Sequence, residues 1–396
     1  MLSIQKKNEL LKILYEALEL PDSAYEKAKE RYENLGEWLD RRGSRVDGFS
    51  PRIFPQGSFS IGTAIKPLRQ SETYDLDLSC LLRERFTKSG YSQEHLKKLL
   101  GLELEDYRIA RNIQKPLDEK KRCWRLEYQD TMSFHMDIVP CIPETQDLKE
   151  KMLGQISLGG LEHGEAKSAA ESTVSITDIT HSQYRVISFI WPISNPEGFT
   201  NWFIFRMKIR ENERGFLGDV EIDEMPVFKR KTPLQRVIQL FKRHRDELFK
   251  DNEDSKPISI ILTTLAAKAY KGESTVEEAL KNILTIMDSF IKSSQPRVCN
   301  PVNPAEDFAD KWSKPALAHL RLEQSFYDWL DQARIDFHAL LSCESLDIFK
   351  RLAKEKLAIT IQSDQIGSLF RNDGGPSVLP PLINIDRTPP RPWSKL

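Results

Sequence analysis

The chain has 396 residues and a net charge of -1, with 39% hydrophobic and 30% charged residues. That apolar content supplies a sizeable core, and the length suits two lobes. The near-zero charge excludes a protein that coats nucleic acid nonspecifically, because phosphate neutralisation needs a basic excess.

The N-terminal stretch mixes charge with apolar residues and lacks a signal peptide's hydrophobic region. Leu10, Leu11, Leu14 and Leu18 fall at helical spacing, Pro21 interrupts, and Tyr25, Ala28, Tyr32, Leu35 and Leu39 resume the stripe. A long helix or a helix pair over residues 1–45 is expected. Between 46 and 230 the texture is that of short strands: 74–81, 122–128 and 133–139, the last two joined by Gln129-Asp130 as a hairpin. Residues 154–185 are rich in Gly, Ser and Thr and read as exposed connections. The stretch 191–199, WPISNPEGF, reads as a loop.

From 231 to 396 the chain reads as helical. Thr232-Pro233 is an N-cap with proline at N1, followed by Leu234, Val237, Ile238 and Phe241. A second helix follows Pro257 through Ala269. A third is expected to open on a Ser274–Glu277 capping box. NPVNP at 300–304 breaks the pattern before helices at 316–341 and 346–357. The proline-rich end, 374–392, is expected to be extended. The last three residues, Ser394-Lys395-Leu396, match a peroxisomal address, a match short enough to arise by chance.

The five cysteines are scattered, with no Cys-x-x-Cys, so neither a disulfide framework nor a paired zinc motif is indicated. No apolar run nears the roughly 20 residues of a membrane span. A cytoplasmic protein with no membrane partner is expected.

Three segments carry chemistry. In the strand YDLDLSCLL, 74–82, alternate side chains share a face, so Asp75 and Asp77 lie together. Two carboxylates on one face repel unless a cation sits between them, and a hard divalent cation takes oxygen ligands plus substrate phosphates. An isolated D-x-D is more often a solvated strand face. Upstream, FPQGSFSIGTAI places Gly57-Ser58 at a turn that opens a helix, where free N–H groups and a hydroxyl suit an anion. Alone it is as readily an ordinary turn. Downstream, SFHMDIVPCIP sets Asp137 and His135 opposite an apolar face of Phe134, Met136 and Ile138. A carboxylate on such a strand is costly without a partner or metal. His135 reads as a hydrogen-bonding neighbour, because magnesium prefers oxygen.

Gly-Ser, then D-x-D, then a lone aspartate on a later strand resembles the polymerase-β-like nucleotidyltransferases. The finer text, including WPISNPEGF, TPLQRVIQLFKRHRD, KPISIILTTL and NPVNPAEDFADKW, resembles the bacterial CD-NTases, relatives of cyclic GMP-AMP synthase and oligoadenylate synthase in anti-phage signalling. The resemblance covers roughly residues 50–315 and implies an α+β fold. A nucleotidyltransferase lobe would be followed by a helical lobe, with the active site in the cleft between them. It implies that Gly57 and Ser58 hold a donor triphosphate. Asp75, Asp77 and Asp137 would hold two magnesium ions, with manganese as a substitute. Lys242 and Ser259 would approach the donor nucleotide. Lys242 has a second reading, as part of the charged face KRHRD of an amphipathic helix, and Ser259 as a cap or small packing residue. Ile260 stands where the animal sensor has a stacking tyrosine, and that sensor's zinc insertion has no counterpart.

The implied activity joins ribonucleoside triphosphates into a cyclic di- or trinucleotide, releasing pyrophosphate. Its partners would be those triphosphates, an effector reached through the product and regulatory proteins, with no nucleic acid required. The alternatives are linear oligonucleotide synthesis, modification of RNA or protein, and an inactive ligand-sensing module.

Overall fold

The computed structural model describes residues 4–67, 69, 72–129, 134–208 and 231–362. Two helices open the chain, α1 (Ile4–Ala17) and α2 (Asp22–Asp40), broken at Pro21, which stands at the N-cap of α2. Among the described residues seven strands form one mixed sheet. These are β1 (Pro51–Gln56), β2 (Tyr74–Leu82), β3 (Asp118–Glu119), β4 (Trp124–Tyr128), β5 (Phe134–Pro143), β6 (Val174–Ile176) and β7 (Ile193–Ser194). The sheet runs β1-β2-β5-β4-β3, with β6 and β7 added beyond the far end of β5. The expected hairpin is present as antiparallel β4–β5, with Asp130 of its turn outside the described residues. β2 and β5 are parallel, and their register sets Asp77 level with Asp137 and Asp75 level with His135.

The even-numbered positions of β2 and β5, Leu76, Leu78, Met136 and Ile138, face a core built with Ala28, Leu35 and Leu39 of α2. Leu96, Leu100 and Leu104 of α4 (Gln93–Ala110) complete it. The opposite sheet face is split along its length. One end carries the carboxylates. The other is closed by Phe54, Leu81, Cys141, Val174 and Ile176.

The stretch 154–185 is not a run of connections. It contains the end of α5 (Gln146–Leu158), α6 (His163–Glu171) and β6. Met152, Ile156, Ala166, Ala169 and Ala170 bury one side of the two helices. Gly154 lies inside α5, where a Cβ would meet nothing within 4 Å, so its small size is a surface choice and no turn signal. WPISNPEGF is likewise not a loop. It forms β7 and the start of α7 (Pro196–Met207). Asn195 caps that helix by accepting the Gly198 N–H at 3.0 Å, and Pro196 fills N1.

The second half is helical: α8 (Pro233–Leu248), α9 (Ser259–Ala269), α10 (Val276–Ile286), α11 (Leu322–Ser342) and α12 (Leu346–Leu357). Thr232 and Gln235 form the expected start of α8 as a full capping box. The cap of α10 falls one residue later than read from sequence: Thr275 accepts the Glu278 N–H at 3.2 Å, while Ser274 donates its hydroxyl to the Glu278 carboxylate. NPVNP forms the turn of a two-stranded hairpin, β8 (Cys299–Asn300) and β9 (Asn303–Asp307). α8 is the hub, touching α1, α9, α10, α11 and α12. Residues 363–396, with the proline-rich stretch and Ser394-Lys395-Leu396, lie outside the described residues.

KRHRD is not a solvated face. Lys242, Arg243, His244 and Arg245 are all buried. Their side of α8 lies along the segment after the Gly57 turn. Gln235 Nε2 donates to the Ile61 carbonyl (2.9 Å), Gln239 Nε2 to Ala64 (2.8 Å), Lys242 Nζ to Thr63 (2.9 Å) and an Arg243 Nη2 to Lys66 (3.1 Å). Residues at i, i+4, i+7 and i+8 thus satisfy four consecutive-region carbonyls that no strand or helix pairs.

Candidate active site

A cavity of about 860 Å³ lies between the carboxylate end of the sheet, α8, α9 and the β8–β9 hairpin. Gly57, Ser58, Asp75, Asp77, Lys242 and Ser259 all line it. Asp137 faces the same way from β5, level with Asp77.

Gly57 opens the short helix α3 (Gly57–Ser60) with φ at +66°, a backbone state that side chains disfavour. A Cβ there would stand 2.3 Å from Asp77 Oδ2. The glycine therefore does two things: it turns the chain, and it lets the backbone close on the carboxylate. The α3 turn is tied down by Thr63 N–H donating to the Ser58 carbonyl at 2.9 Å. On the neighbouring strand, Ser79 Oγ donates to Gln56 Oε1 at 2.9 Å.

The carboxylates differ in surroundings. Asp75 stands at the mouth, its side chain 67% exposed, with His135 Nδ1 3.5 Å from its Oδ1. His135 is also 3.4 Å from Thr73 Oγ1, so it is a neighbour in a polar cluster. Asp77 sits deeper. Burial, reinforced by Asp75 and Asp137, pushes its carboxyl up to about 7. Asp137 is held by Arg125 of β4 through two bonds, Nε to Oδ1 at 2.6 Å and Nη2 to Oδ2 at 2.8 Å. The β4–β5 register places Arg125 directly opposite Asp137. Sequence reading missed Arg125. Alternation puts Arg125 on the face opposite Trp124, but only the β4–β5 register sets it beside Asp137.

Lys242 is 6% exposed, and it donates to Thr63 Oγ1 at 3.1 Å besides the Thr63 carbonyl. Burial, then the charge of Arg245, push its ammonium down to about 7. Ser259 begins α9 but does not cap it, because Ile258 holds the N-cap position. Its hydroxyl accepts from Arg245 Nη1 at 2.8 Å. Ile260 lines the cavity beside it.

The donor set suits a hard divalent cation. Asp75 and Asp77 share a strand face with Asp137 alongside, all oxygen ligands, and the Asp77 carboxyl is raised first by burial and then by its two acidic neighbours. Among the described residues no three acidic, histidine or cysteine side chains converge on one point. Arg125 engages both oxygens of Asp137, so Asp75 and Asp77 are the pair that could hold a cation first.

Residues 51–140 match the model of the DncV-like cyclic GMP-AMP synthase nucleotidyltransferase domain. A c-di-GMP synthase of Roseivirga ehrenbergii is 32% identical over 312 residues, 76% of this chain and 72% of that protein. The cyclic dinucleotide synthase CdnG of Bradyrhizobium diazoefficiens is 24% identical over 322 residues, 76% of this chain and 68% of that one. A solved structure of the Bradyrhizobium enzyme with GTP superposes with a TM-score of 0.62 at 20% identity, covering 89% of this chain and 95% of that one. The structure of a mutant of the Vibrio cholerae di-nucleotide cyclase DncV in complex with ATP and GTP superposes with a TM-score of 0.52 at 16% identity, over 89% of this chain and 87% of its own. A polymerase-β-like sheet with a Gly-Ser turn beside paired aspartates, matched by a relative of this identity and coverage, places the chain in one family: it belongs to the bacterial CD-NTases and is a nucleotidyltransferase.

Proposed function

We propose that the protein is a divalent-metal-dependent synthase that joins two ribonucleoside triphosphates, at least one of them GTP, into a cyclic dinucleotide, with release of two pyrophosphates. The observation that carries this reading is the placement of Asp75 and Asp77 beside the Gly57 turn in a cavity of about 860 Å³, with Asp137 level with Asp77 on the neighbouring strand. That volume lies near the upper end of the roughly 300–1,000 Å³ of small-molecule sites. The guanine assignment follows the names of the relatives, c-di-GMP synthase and cyclic dinucleotide synthase. The wider role, a second messenger of anti-phage defence made in the cytoplasm and read by an effector, follows the family. The CdnC structure bound to a HORMA protein supports regulation by partner proteins.

Asp75 and Asp77 would hold two magnesium ions with Asp137, and when bound these neutralise the reacting α-phosphate and the departing pyrophosphate. The chain's own groups do the rest. The Gly57 turn and Ser58 hold the donor triphosphate. Asp137 Oδ1 or Oδ2 accepts the proton of the attacking ribose hydroxyl, with Arg125 fixing its orientation. Lys242, poised near neutrality by burial, gains a proton as phosphate approaches and returns positive charge to the cavity. A second round needs the linear intermediate to turn over and present its free hydroxyl to its own α-phosphate.

The test is direct. Purified protein with labelled GTP, ATP and Mg²⁺ or Mn²⁺, and no nucleic acid, is treated with phosphatase and analysed by mass spectrometry. A phosphatase-resistant cyclic dinucleotide is expected. Linear products alone overturn cyclisation, and no product in any metal or pH overturns the enzyme reading in favour of ligand sensing.

A further inference from the structure

The segment Asn300–Phe308 lines the cavity but takes no part in the phosphate chemistry. Its two adjacent acids are employed differently. Asp307 is structural: its carboxylate accepts the backbone N–H groups of Arg297 (2.7 Å), Val298 (2.9 Å) and Ala309 (2.9 Å). Glu306, one residue earlier and so on the other face of β9, lines the cavity, as does Phe308 two residues on. Glu306 Oε2 accepts from Asn300 Nδ2 at 2.8 Å and from Asn303 Nδ2 at 3.5 Å. Among the described residues no donor reaches Oε1 within hydrogen-bond distance. Burial raises the Glu306 carboxyl, and the Asn300 amide and Arg122 pull it back.

The hairpin is a rigid platform. Asn195 Nδ2 donates to the Val302 carbonyl at 3.3 Å, Lys268 Nζ to Cys299 at 3.1 Å, and the Val302 N–H donates to Asn300 Oδ1 at 3.0 Å. Phe308 meets Phe199 of α7 edge-on, ring centroids 6.0 Å apart, so an aromatic wall adjoins the carboxylate. A flat ring against that wall presents its edge to Glu306.

We propose that Glu306, oriented by Asn300, is the residue that selects guanine among the nucleobases entering this cavity. The inference rests on the nucleotidyltransferase reading of the cavity and adds the residue that reads the base. Oε1 is open to a ligand, and Oε2, held by one short bond from Asn300 and a contact at 3.5 Å from Asn303, keeps acceptor capacity beside it, so the carboxylate still offers two acceptors side by side. Guanine answers with two adjacent donors, N1–H and the 2-amino group. Adenine sets an N1 lone pair against the carboxylate, and uracil flanks its one N–H with carbonyl oxygens. A site built to pair a polar edge discriminates strongly against a base that leaves the pair unmade.

The experiment measures binding and needs no turnover. The full chain with Mg²⁺ is titrated by calorimetry with α,β-methylene analogues of GTP, ITP and ATP; inosine lacks only the 2-amino group. Wild type should bind the GTP analogue about tenfold more tightly than the ITP analogue and about a hundredfold more tightly than the ATP analogue. In Glu306→Gln, whose amide can donate to adenine N1, the GTP preference should fall to within about threefold, with ATP binding rising. Should that variant fail to fold, Glu306→Asp keeps the charge but withdraws it by one methylene, and it should lose GTP affinity selectively. Unchanged base ratios in a folded variant, or a wild type that prefers ATP, overturn the proposal. The outcomes separate it from the activity reading. Glu306-dependent guanine binding without any cyclic product keeps this inference and sinks that reading; cyclic product with base choice untouched by Glu306→Gln does the reverse.

Discussion

At the scale of single residues, the site is a set of charges held in unfavourable company. Asp77 is ionised only above about pH 7 because burial, Asp75 and Asp137 all oppose its charge. A carboxyl raised in the folded state destabilises the fold once the unfolded chain has ionised. That cost starts near the ordinary carboxylate range, reaches its full size at about pH 7, and stays flat above. Asp77→Asn should therefore abolish product yet raise the melting temperature of metal-free protein by a few degrees at pH 8, with the gain vanishing by about pH 4. Calorimetric scans of both proteins across that range check it; an equal gain at every pH would mean that the effect is not electrostatic. Arg125 works in the opposite direction, its charge favouring the ionised forms of Asp75 and Asp77 against burial. Arg125→Ala should leave the carboxylates harder to ionise, so Mn²⁺ binding followed by titration calorimetry should move to higher pH and turnover fall more than tenfold. Arg125→Lys, which keeps the charge but not the two-pronged grip on Asp137, should recover the pH dependence and only part of the rate.

At the scale of elements, the decisive parts are a turn and a helix. The Gly57 turn brings backbone against Asp77 at a distance that admits no Cβ. Gly57→Ala should push the carboxylate aside and strain the backbone. Turnover should drop by two orders of magnitude or more, while the melting temperature falls only a few degrees, because one turn is affected and the core is untouched. Comparable losses in both would make the glycine structural. The turn, the D-x-D strand and the later aspartate strand were legible in the sequence because β-strands alternate faces and Gly-Ser is a short-range signal. α8 was legible only in part. Its apolar stripe and its Thr232 cap were plain, but KRHRD at 242–246 read as a charged face, and the ladder of Gln235, Gln239, Lys242 and Arg243 was not visible because its partners, the carbonyls of residues 61–66, lie about 175 residues away in sequence. The same reason hid Arg125, whose partner depends on hairpin register, and turned α5 and α6 into expected loops. Glycine and serine on an exposed helix surface carry the same letters as a turn.

At the scale of the whole molecule, sheet and helices are clamped together through the site itself. Glu19, in the link between α1 and α2, pairs with Lys231 and Arg236, at the threshold of α8 and on it. Arg243 of the same helix pairs with Glu72, just before the D-x-D strand. The polar ladder of α8 lies between these pairs, so whatever neutralises Asp75 and Asp77 acts on the junction of the two halves. Divalent cation binding should then stabilise the entire described fold and not a single loop. Binding to the folded state alone stabilises by RT ln(1 + [L]/Kd), about 2.7 kcal/mol at a hundredfold excess over Kd. The ion competes with the proton on Asp77, whose carboxyl titrates near 7. At pH 6 that proton must be displaced, and at pH 8 it is already gone, so the rise in melting temperature at fixed Mn²⁺ should grow from pH 6 to pH 8 and then level. Lys242 contributes with the same sign, since its positive charge, which opposes a cation, is also lost through about pH 7. The check is a set of melting curves with and without Mn²⁺ at pH 6, 7 and 8, on wild type and on Asp77→Asn. Wild type should show the pH-dependent rise, and Asp77→Asn should show little rise at any pH. A Mn²⁺ effect that is flat with pH, or one that survives intact in Asp77→Asn, would mean that the cation binds elsewhere and that the paired aspartates do not hold it.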